Sequence, residues 1–322
     1  MQYHFLGQST LRISAIGFGC MSLGEGEQEA ERLIHRAVEL GINFFDTADL
    51  YEKGLNEERV GRILRGKRDR VVLATKVGNQ SRADGSGWDW NPRKEYIIGA
   101  VEDSLTRLQT DRIDLYQLHG GTLDDPIDET IEAFELLQQQ GKILYYGISS
   151  IRPNVIREYV RRSHIVSVMM QYSLADRRPE EGCLSGLKAA GIGVLARGVV
   201  MKGLLAGKEP VAYLGHTAVE MEAAAVAVRD VAGGRTEAAA DGRREIEAAG
   251  NAGTVKGGPL SPAGVAIRWV LDHPAISSAV VGLRTPEQLE EVIGAADADG
   301  LTEEEAGLLD KALKGKRYEE HR

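Results

Sequence analysis

Short apolar runs, each followed by a stretch of helical period, recur about eight times along this chain, at residues 16–19, 44–47, 71–76, 113–119, 143–149, 166–171, 193–197 and 279–282. After the first run, Ala30, Leu33, Ile34, Ala37 and Val38 share one helical face, and Gly41 supplies the stop. Asn56 with Glu57 and Glu58 reads as the cap of a helix carrying Val60, Ile63 and Leu64. Asn91 followed by Pro92 predicts the next helix start, and residues 128–140 a further helix. No proline- or serine-rich linker interrupts the rhythm. Repeated βα units without a break in composition make a parallel sheet. In 322 residues they predict a closed (β/α)8 TIM barrel, one α/β domain over residues 1–322, with an open doubly wound sheet as the alternative.

Two segments stand outside the rhythm. Residues 3–13 precede the first barrel run and contain a Gly-Gln-Ser turn. A second departure, at about 209–258, is rich in alanine and glycine. Within it, residues 218–249 read as one or two exposed helices and 251–258 as a glycine-rich connection. This insertion is expected either to pack outside the barrel or to form a flap over its mouth.

A formal net charge of −9 argues against a nucleic-acid surface, which wants a basic face. No apolar run approaches the roughly 18 residues of a membrane span, and the start lacks the basic-then-apolar pattern of a secretory signal. Only Cys20 and Cys183 are present, without metal-ligand spacing, so a reducing cytoplasm and no metal are the expectation. Two phosphate-loop lookalikes fail on detail. Gly61 to Lys67 has the spacing, but Arg68 replaces the magnesium-binding hydroxyl, and Gly203 to Lys208 is one residue short. Gly17-Phe-Gly19 begins a dinucleotide fingerprint, but Ser22 stands where the third glycine belongs, so a Rossmann site is unsupported.

Three runs end on ionisable residues: Asp46, Lys76 and His119, with Tyr51 five positions after Asp46. Carboxyl ends of parallel barrel strands are where such fold units carry their chemistry. Singly, each residue is ordinary; together they complement one another. A tyrosine in water has a pKa of about 10, and a nearby ammonium stabilises its phenolate. An aspartate holds that ammonium in place and keeps it charged, while a histidine orients a substrate oxygen. The set suits carbonyl reduction, in which hydride arrives at carbon and a positioned acid neutralises the oxygen. A hydride donor implies a nicotinamide cofactor. The alternative, a Schiff-base lysine, needs a neutral amine, against which Asp46 works.

The matching stretches identify a family. Gly17-Phe-Gly-Cys-Met-Ser, FFDTADLY, ATK ending at Lys76, DLYQLH ending at His119, Tyr146-Gly-Ile-Ser-Ser150, Met170-Gln-Tyr172, Lys202-Gly-Leu-Leu and Gly282 through Gln288-Leu occur in order. From about residue 3 to 317 the chain resembles the aldo-keto reductase superfamily, and within it the bacterial and archaeal reductases carrying Gly-Ile-Ser-Ser and an Ala-Arg-Gly strand end. The resemblance implies reduction of aldehydes or ketones by NADPH, with NADH weaker. It makes Tyr51 the proton donor, Asp46 and Lys76 its tuning pair, and His119 the orienter of the carbonyl.

Carried over in the same way, Gly19, Cys20 and Met21 border the cofactor, and Ser149, Ser150 and Gln171 hold the nicotinamide carboxamide. Arg197, followed by Gly198, sits where many relatives stack an aromatic ring, a task open to a planar guanidinium. Gly203, Leu205, Gly207 and Lys208 belong to the loop over the pyrophosphate. Gly282, Leu283, Arg284, Gln288 and Glu291 line the adenosine end, with Arg284 suited to a 2′-phosphate. Ser150 and Val292 depart from the asparagines common in relatives, and a valine at 292 cannot hydrogen-bond adenine, which predicts a weaker contact there. Gly120-Gly121-Thr122 replaces a bulkier segment and opens the substrate side, where Trp88 and Trp90 offer an apolar wall. The competing function is a nucleotide-binding, redox-sensing subunit with slow turnover. Substrate identity and oligomeric state are not written in the sequence.

Overall fold

A computed structural model of the protein describes residues 1–248 and 259–321, with side chains for all of these but 239–248. The glycine-rich stretch at 251–258 lies outside the described residues. β1 (Tyr3–Phe5) and β2 (Arg12–Ser14) form an antiparallel hairpin. After them come β3 (Ile16–Gly19), β4 (Phe44–Asp46) and β5 (Val72–Val77), then a second hairpin of β6 (Asn79–Ser81) and β7 (Trp88–Trp90). β8 (Ile113–Leu118), β9 (Ile143–Ser149), β10 (Ser167–Gln171), β11 (Gly193–Arg197) and β12 (Ile276–Gly282) follow. Strands β3, β4, β5, β8, β9, β10, β11 and β12 pair in parallel, each with the next, and β12 closes back on β3. This is the (β/α)8 barrel expected from the rhythm, and the open sheet is ruled out by the β12–β3 ladder.

The helices are α1 (Glu27–Glu39), α2 (Leu55–Ile63), α3 (Lys94–Leu108), α4 (Ile127–Gln139), α5 (Pro153–Arg162), α6 (Cys183–Ala189), α7 (Ala218–Ala248), α8 (Pro262–Leu271), α9 (Pro286–Asp297) and α10 (Glu303–Ala312). In α1 the buried residues are Ala30, Leu33, Ile34, Ala37 and Val38, the face read from the sequence, and Gly41 follows with φ of 94°.

Side chains alternate in and out of the barrel with the period of two that strands impose. Phe44, Ala74, Leu115, Met169, Leu195 and Val280 meet inside, and Leu6, Leu11 and Ile13 of the β1–β2 hairpin join the same cluster. The hairpin therefore plugs the amino-terminal end of the barrel. Its turn needs a glycine. Gly7 has φ of 56°, and a Cβ there would lie 2.4 Å from the Val166 carbonyl oxygen. One step further along each strand, Asp46, Lys76, Gln117, Gln171 and Arg197 take the next inward positions toward the carboxyl end.

Three local readings are corrected. Asn56 is not a cap: α2 starts at Leu55 behind Gly54, and the buried Asn56 amide accepts from Thr47 Oγ1 at 2.7 Å and donates to the Cys20 carbonyl at 3.0 Å. Tertiary bonds have claimed a side chain that local propensity assigned to the helix end. Likewise α3 begins at Lys94, two residues beyond Pro92, and Asn91 accepts instead from the Arg93 N–H. The alanine-rich stretch is a single helix, α7, packed on α8 and α10, with Met221, Ala224, Ala225, Val228, Val231 and Ala232 buried. Its buried Arg235 bonds Glu305 of α10 at 2.6 Å and the Gly300 carbonyl at 2.7 Å. α7 thus lies against the outer helices, while Tyr213, ahead of it in the insertion, reaches Gln171 and Arg197 at the barrel mouth. No helix among the described residues is long and apolar enough to cross a membrane.

Candidate active site

Inward parity delivers Asp46 and Lys76 side by side at the carboxyl ends of β4 and β5. The Lys76 ammonium, 1% exposed, donates to Asp46 Oδ2 at 2.6 Å and to the Thr47 carbonyl at 2.7 Å. Its third contact is the Tyr51 hydroxyl at 3.3 Å. Gln117, inward on β8 opposite Lys76, donates to the other Asp46 oxygen at 3.3 Å. Burial by itself would lower the Lys76 pKa, but the Asp46 charge and Tyr51 outweigh it and hold the ammonium above its ordinary value. The lysine is therefore charged at neutral pH, which disposes of the Schiff-base alternative.

Tyr51 reaches the site on a segment zipped to the end of β5. Thr47 N–H donates to the Ala74 carbonyl at 2.9 Å and Asp49 N–H to the Lys76 carbonyl at 3.3 Å. A turn closes with Tyr51 N–H on the Ala48 carbonyl at 3.1 Å. Behind it Glu52, Lys53 and Gly54 are all left-handed, with φ of 51°, 55° and 92°. Each of the two non-glycine residues costs roughly 1–2 kcal/mol in that region. Such strain persists where the surroundings over-determine the backbone, as they do around a positioned side chain.

His119 follows β8 and sets its ring edge-on to Tyr51, centroids 5.9 Å apart. Burial, then the charges of Lys76 and Arg197, push its pKa down to about 3, so the imidazole is neutral. Its Nδ1 has no hydrogen-bond partner. Gly120 and Gly121 behind it have φ of 149° and 120°. The room they free is taken by Trp90, whose ring atoms would lie 3.2 Å from a Cβ at Gly120 and 2.6 Å from one at Gly78. Trp90 Nε1 is tied to Asp125 Oδ1 at 3.0 Å, so the indole is a fixed wall, whereas Trp88 is half exposed. A neutral hydrogen-bonding ring, a phenol beside an ammonium and an apolar wall can bind a carbonyl and hand its oxygen a proton.

On the opposite side of the barrel, Arg197 donates to Gln171 Oε1 at 3.2 Å, leaving the buried Gln171 Nε2 without a partner. An unpartnered amide donor at this depth calls for an acceptor from a ligand. Arg197 is close enough for Asp46 and His119 to feel its charge. Ser149 ends β9 and Ser150 follows it, both buried, and Gly198 (φ 71°) packs on Gln171. Beyond β11 the backbone is left-handed at Met201, Lys202, Gly203 and again at Gly207, and the Lys208 side chain lies over Gly203. Leu205 and Leu283 are buried, so only their backbone can meet a ligand; Cys20 is also buried, while Met21 beside it is exposed. A Cβ at Gly282 would meet Ser22. Arg284 is exposed at the start of α9, where Thr285 caps the helix by accepting from Gln288 N–H at 3.3 Å. Gln288 Oε1 accepts from Arg284 N–H, and Glu291 is half-buried. Val292 is buried, its side chain packed in the core. These groups fit a dinucleotide: an amide site inside the rim, a left-handed loop, and a guanidinium at a helix N-terminus.

Sequence reasoning missed Gln117, Thr47, Asn56 and Tyr213. Gln117 was findable as a polar residue at an inward position of an otherwise apolar strand. Tyr213, whose hydroxyl faces Gln171 and Arg197 and whose ring lies 6.0 Å from Lys202 Nζ, comes from the insertion and carries no local signal.

The family model for the Aldo/keto reductase family matches residues 15–314. The curated Bacillus subtilis (strain 168) protein named uncharacterized oxidoreductase YqkF is 47% identical, with all of both chains covered. Among solved structures, the holo form of aldo-keto reductase AKR11C1 from Bacillus halodurans is 46% identical and superposes with a TM-score of 0.86, covering 100% of this chain and 99% of that one. The glycerol dehydrogenase AKR11B4 from Gluconobacter oxydans is 26% identical over 96% of this chain and 94% of its own, with a TM-score of 0.80.

Proposed function

Since this chain belongs to the aldo/keto reductase family, we propose that it reduces aldehydes or ketones to alcohols with NADPH, using Tyr51 as the general acid. Membership makes it an NAD(P)H-dependent oxidoreductase of small carbonyl compounds; the choice of dinucleotide and of acid is the proposal's own. The observation that carries it is the Lys76 ammonium bonded at once to the Asp46 carboxylate and the Tyr51 hydroxyl, beside a neutral His119.

When bound, the dinucleotide supplies hydride to the carbonyl carbon. This chain's residues do the rest. His119, neutral across the working range, donates a hydrogen bond to the carbonyl oxygen without competing for the proton. Tyr51 gives that oxygen a proton as charge develops on it, and the adjacent ammonium stabilises the phenolate left behind. Asp46 and Gln117 keep the ammonium aimed. Ser149, Ser150 and Gln171 would hold the carboxamide, Arg197 would meet the nicotinamide, Gly203 to Lys208 would bind the pyrophosphate, and Arg284 would take the 2′-phosphate. The test is the loss of NADPH absorbance with a panel of aldehydes and ketones. Turnover with several of them supports the reading; tight NADPH binding without turnover would favour a nucleotide-sensing subunit.

A further inference from the structure

Tyr213 comes to the barrel mouth from the insertion, and no step proposed above uses it. The turn that carries it is tight. Tyr213 N–H donates to the His216 carbonyl at 3.0 Å and His216 N–H to the Tyr213 carbonyl at 2.9 Å. Between them Leu214 and Gly215 are both left-handed, with φ of 49° and 78°, as a two-residue hairpin turn requires. His216 is buried, and its Nε2 donates to the Ala175 carbonyl at 3.0 Å, which ties the turn to the segment that follows Gln171 at the end of β10. On the other side Thr217 N–H donates to Glu220 Oε2 at 2.7 Å and Glu220 N–H returns to Thr217 Oγ1 at 3.2 Å, so the turn feeds directly into α7. Tyr213 is thus held between a buried histidine contact and a long packed helix.

Its side chain joins three pieces of the nucleotide half of the site. The ring is half-buried, with Lys202 Nζ 6.0 Å from its centre, and the hydroxyl faces Gln171 and Arg197. Arg197 is the member that needs support: it is exposed, and among the described residues its hydrogen bond is the one to Gln171 Oε1 at 3.2 Å. A long guanidinium on one bond samples several rotamers, and ordering it when a ligand arrives costs affinity. A phenol oxygen can accept from a guanidinium and from an amide alike. We propose that Tyr213 is a positioning residue for the nicotinamide end of the dinucleotide: its hydroxyl presets the Arg197–Gln171 pair before the cofactor arrives. The insertion is then a working part of the nucleotide site as well as a layer on the outer helices.

This inference rests on the NADPH reading, and its test separates the two. Tyr213→Phe removes the hydroxyl and keeps the ring beside Lys202. Wild type and variant are titrated by fluorescence with NADPH and with adenosine 2′,5′-bisphosphate, which carries the adenosine end and the 2′-phosphate but no nicotinamide. The variant should lose about three- to tenfold in NADPH affinity, the worth of one neutral hydrogen bond, and bind the bisphosphate like wild type. Equal losses on both ligands would mean a general disturbance of the fold and overturn the proposal. So would an unchanged NADPH affinity, or a tighter one, which would make the hydroxyl a competitor for the place of the carboxamide. A double-mutant cycle with Arg197→Ala checks the route. With the pair already broken, Tyr213→Phe should cost little further, whereas additive losses would overturn positioning through Arg197. Failure of the NADPH reading shows in wild type alone, as binding of neither ligand, and removes this inference with it; the inference by itself fails on the variant while wild type binds both.

Discussion

Lys76 and Tyr51 meet 3.3 Å apart, nitrogen to hydroxyl, although one side chain rises from inside the barrel and the other descends from a loop outside its strands. The ammonium also lies 5.0 Å from the centre of the phenol ring. Their meeting depends on parity in β5, on the zipped segment after β4, and on the left-handed run that turns the chain away behind Tyr51.

Tyr51→Phe removes one hydroxyl and no packing surface. Reduction should fall about 10²–10⁴-fold, the usual worth of a general acid, while NADPH titrated by fluorescence binds as before. Near-native turnover in this variant would assign the acid elsewhere.

Lys76→Met should lower reduction comparably and also destabilise the fold. It strands Asp46, nearly fully buried, with Gln117 as its remaining side-chain donor. Breaking a buried pair from one side costs about 3–5 kcal/mol. Adding Asp46→Asn should restore much of that stability in urea titrations without restoring activity.

His119 gives an acid-side signature. Its folded pKa, about 3, lies below the ordinary histidine value of 6.5, so the folded state takes up its proton later than the unfolded chain. The stability it contributes is complete above pH 6.5 and drains away as pH falls toward 3. Thermal midpoints of wild type should drop more steeply than those of His119→Gln over that window. No histidine inflection should appear in kcat/KM between about pH 5 and 8.

Arg284→Ala should weaken NADPH and leave NADH nearly unchanged. A charge-assisted hydrogen bond is worth roughly 1.5–3 kcal/mol, or about tenfold to a hundredfold in Kd. Equal losses for both dinucleotides would remove Arg284 from the 2′-phosphate site.

Gly7→Ala tests the barrel floor. The added methyl must enter at 2.4 Å from a backbone oxygen and in a left-handed conformation, so a loss of about 1–3 kcal/mol is expected by denaturant unfolding. The surviving folded enzyme should keep its kcat, because the floor and the reacting groups lie at opposite ends.

The barrel was legible because burial on both faces gives each strand an unbroken apolar run, and the exceptions at 46, 76 and 119 stood out against it. Asn56 and Asn91 were misread for the opposite reason. Their side chains looked like local punctuation, and only the folded chain reveals distant partners for Asn56. Glu52 and Lys53 gave no warning of their left-handed backbone; Gly54 alone hinted at a turn. Tyr213 lies some forty residues from Gln171 in sequence and meets it because the chain enters the insertion from β11, the strand paired with β10.

The hairpin under the barrel and the packed interior above it leave one end for chemistry. With Leu6, Leu11 and Ile13 packed into the interior cluster at the other end, the groups around Lys76 can be approached only from the carboxyl rim.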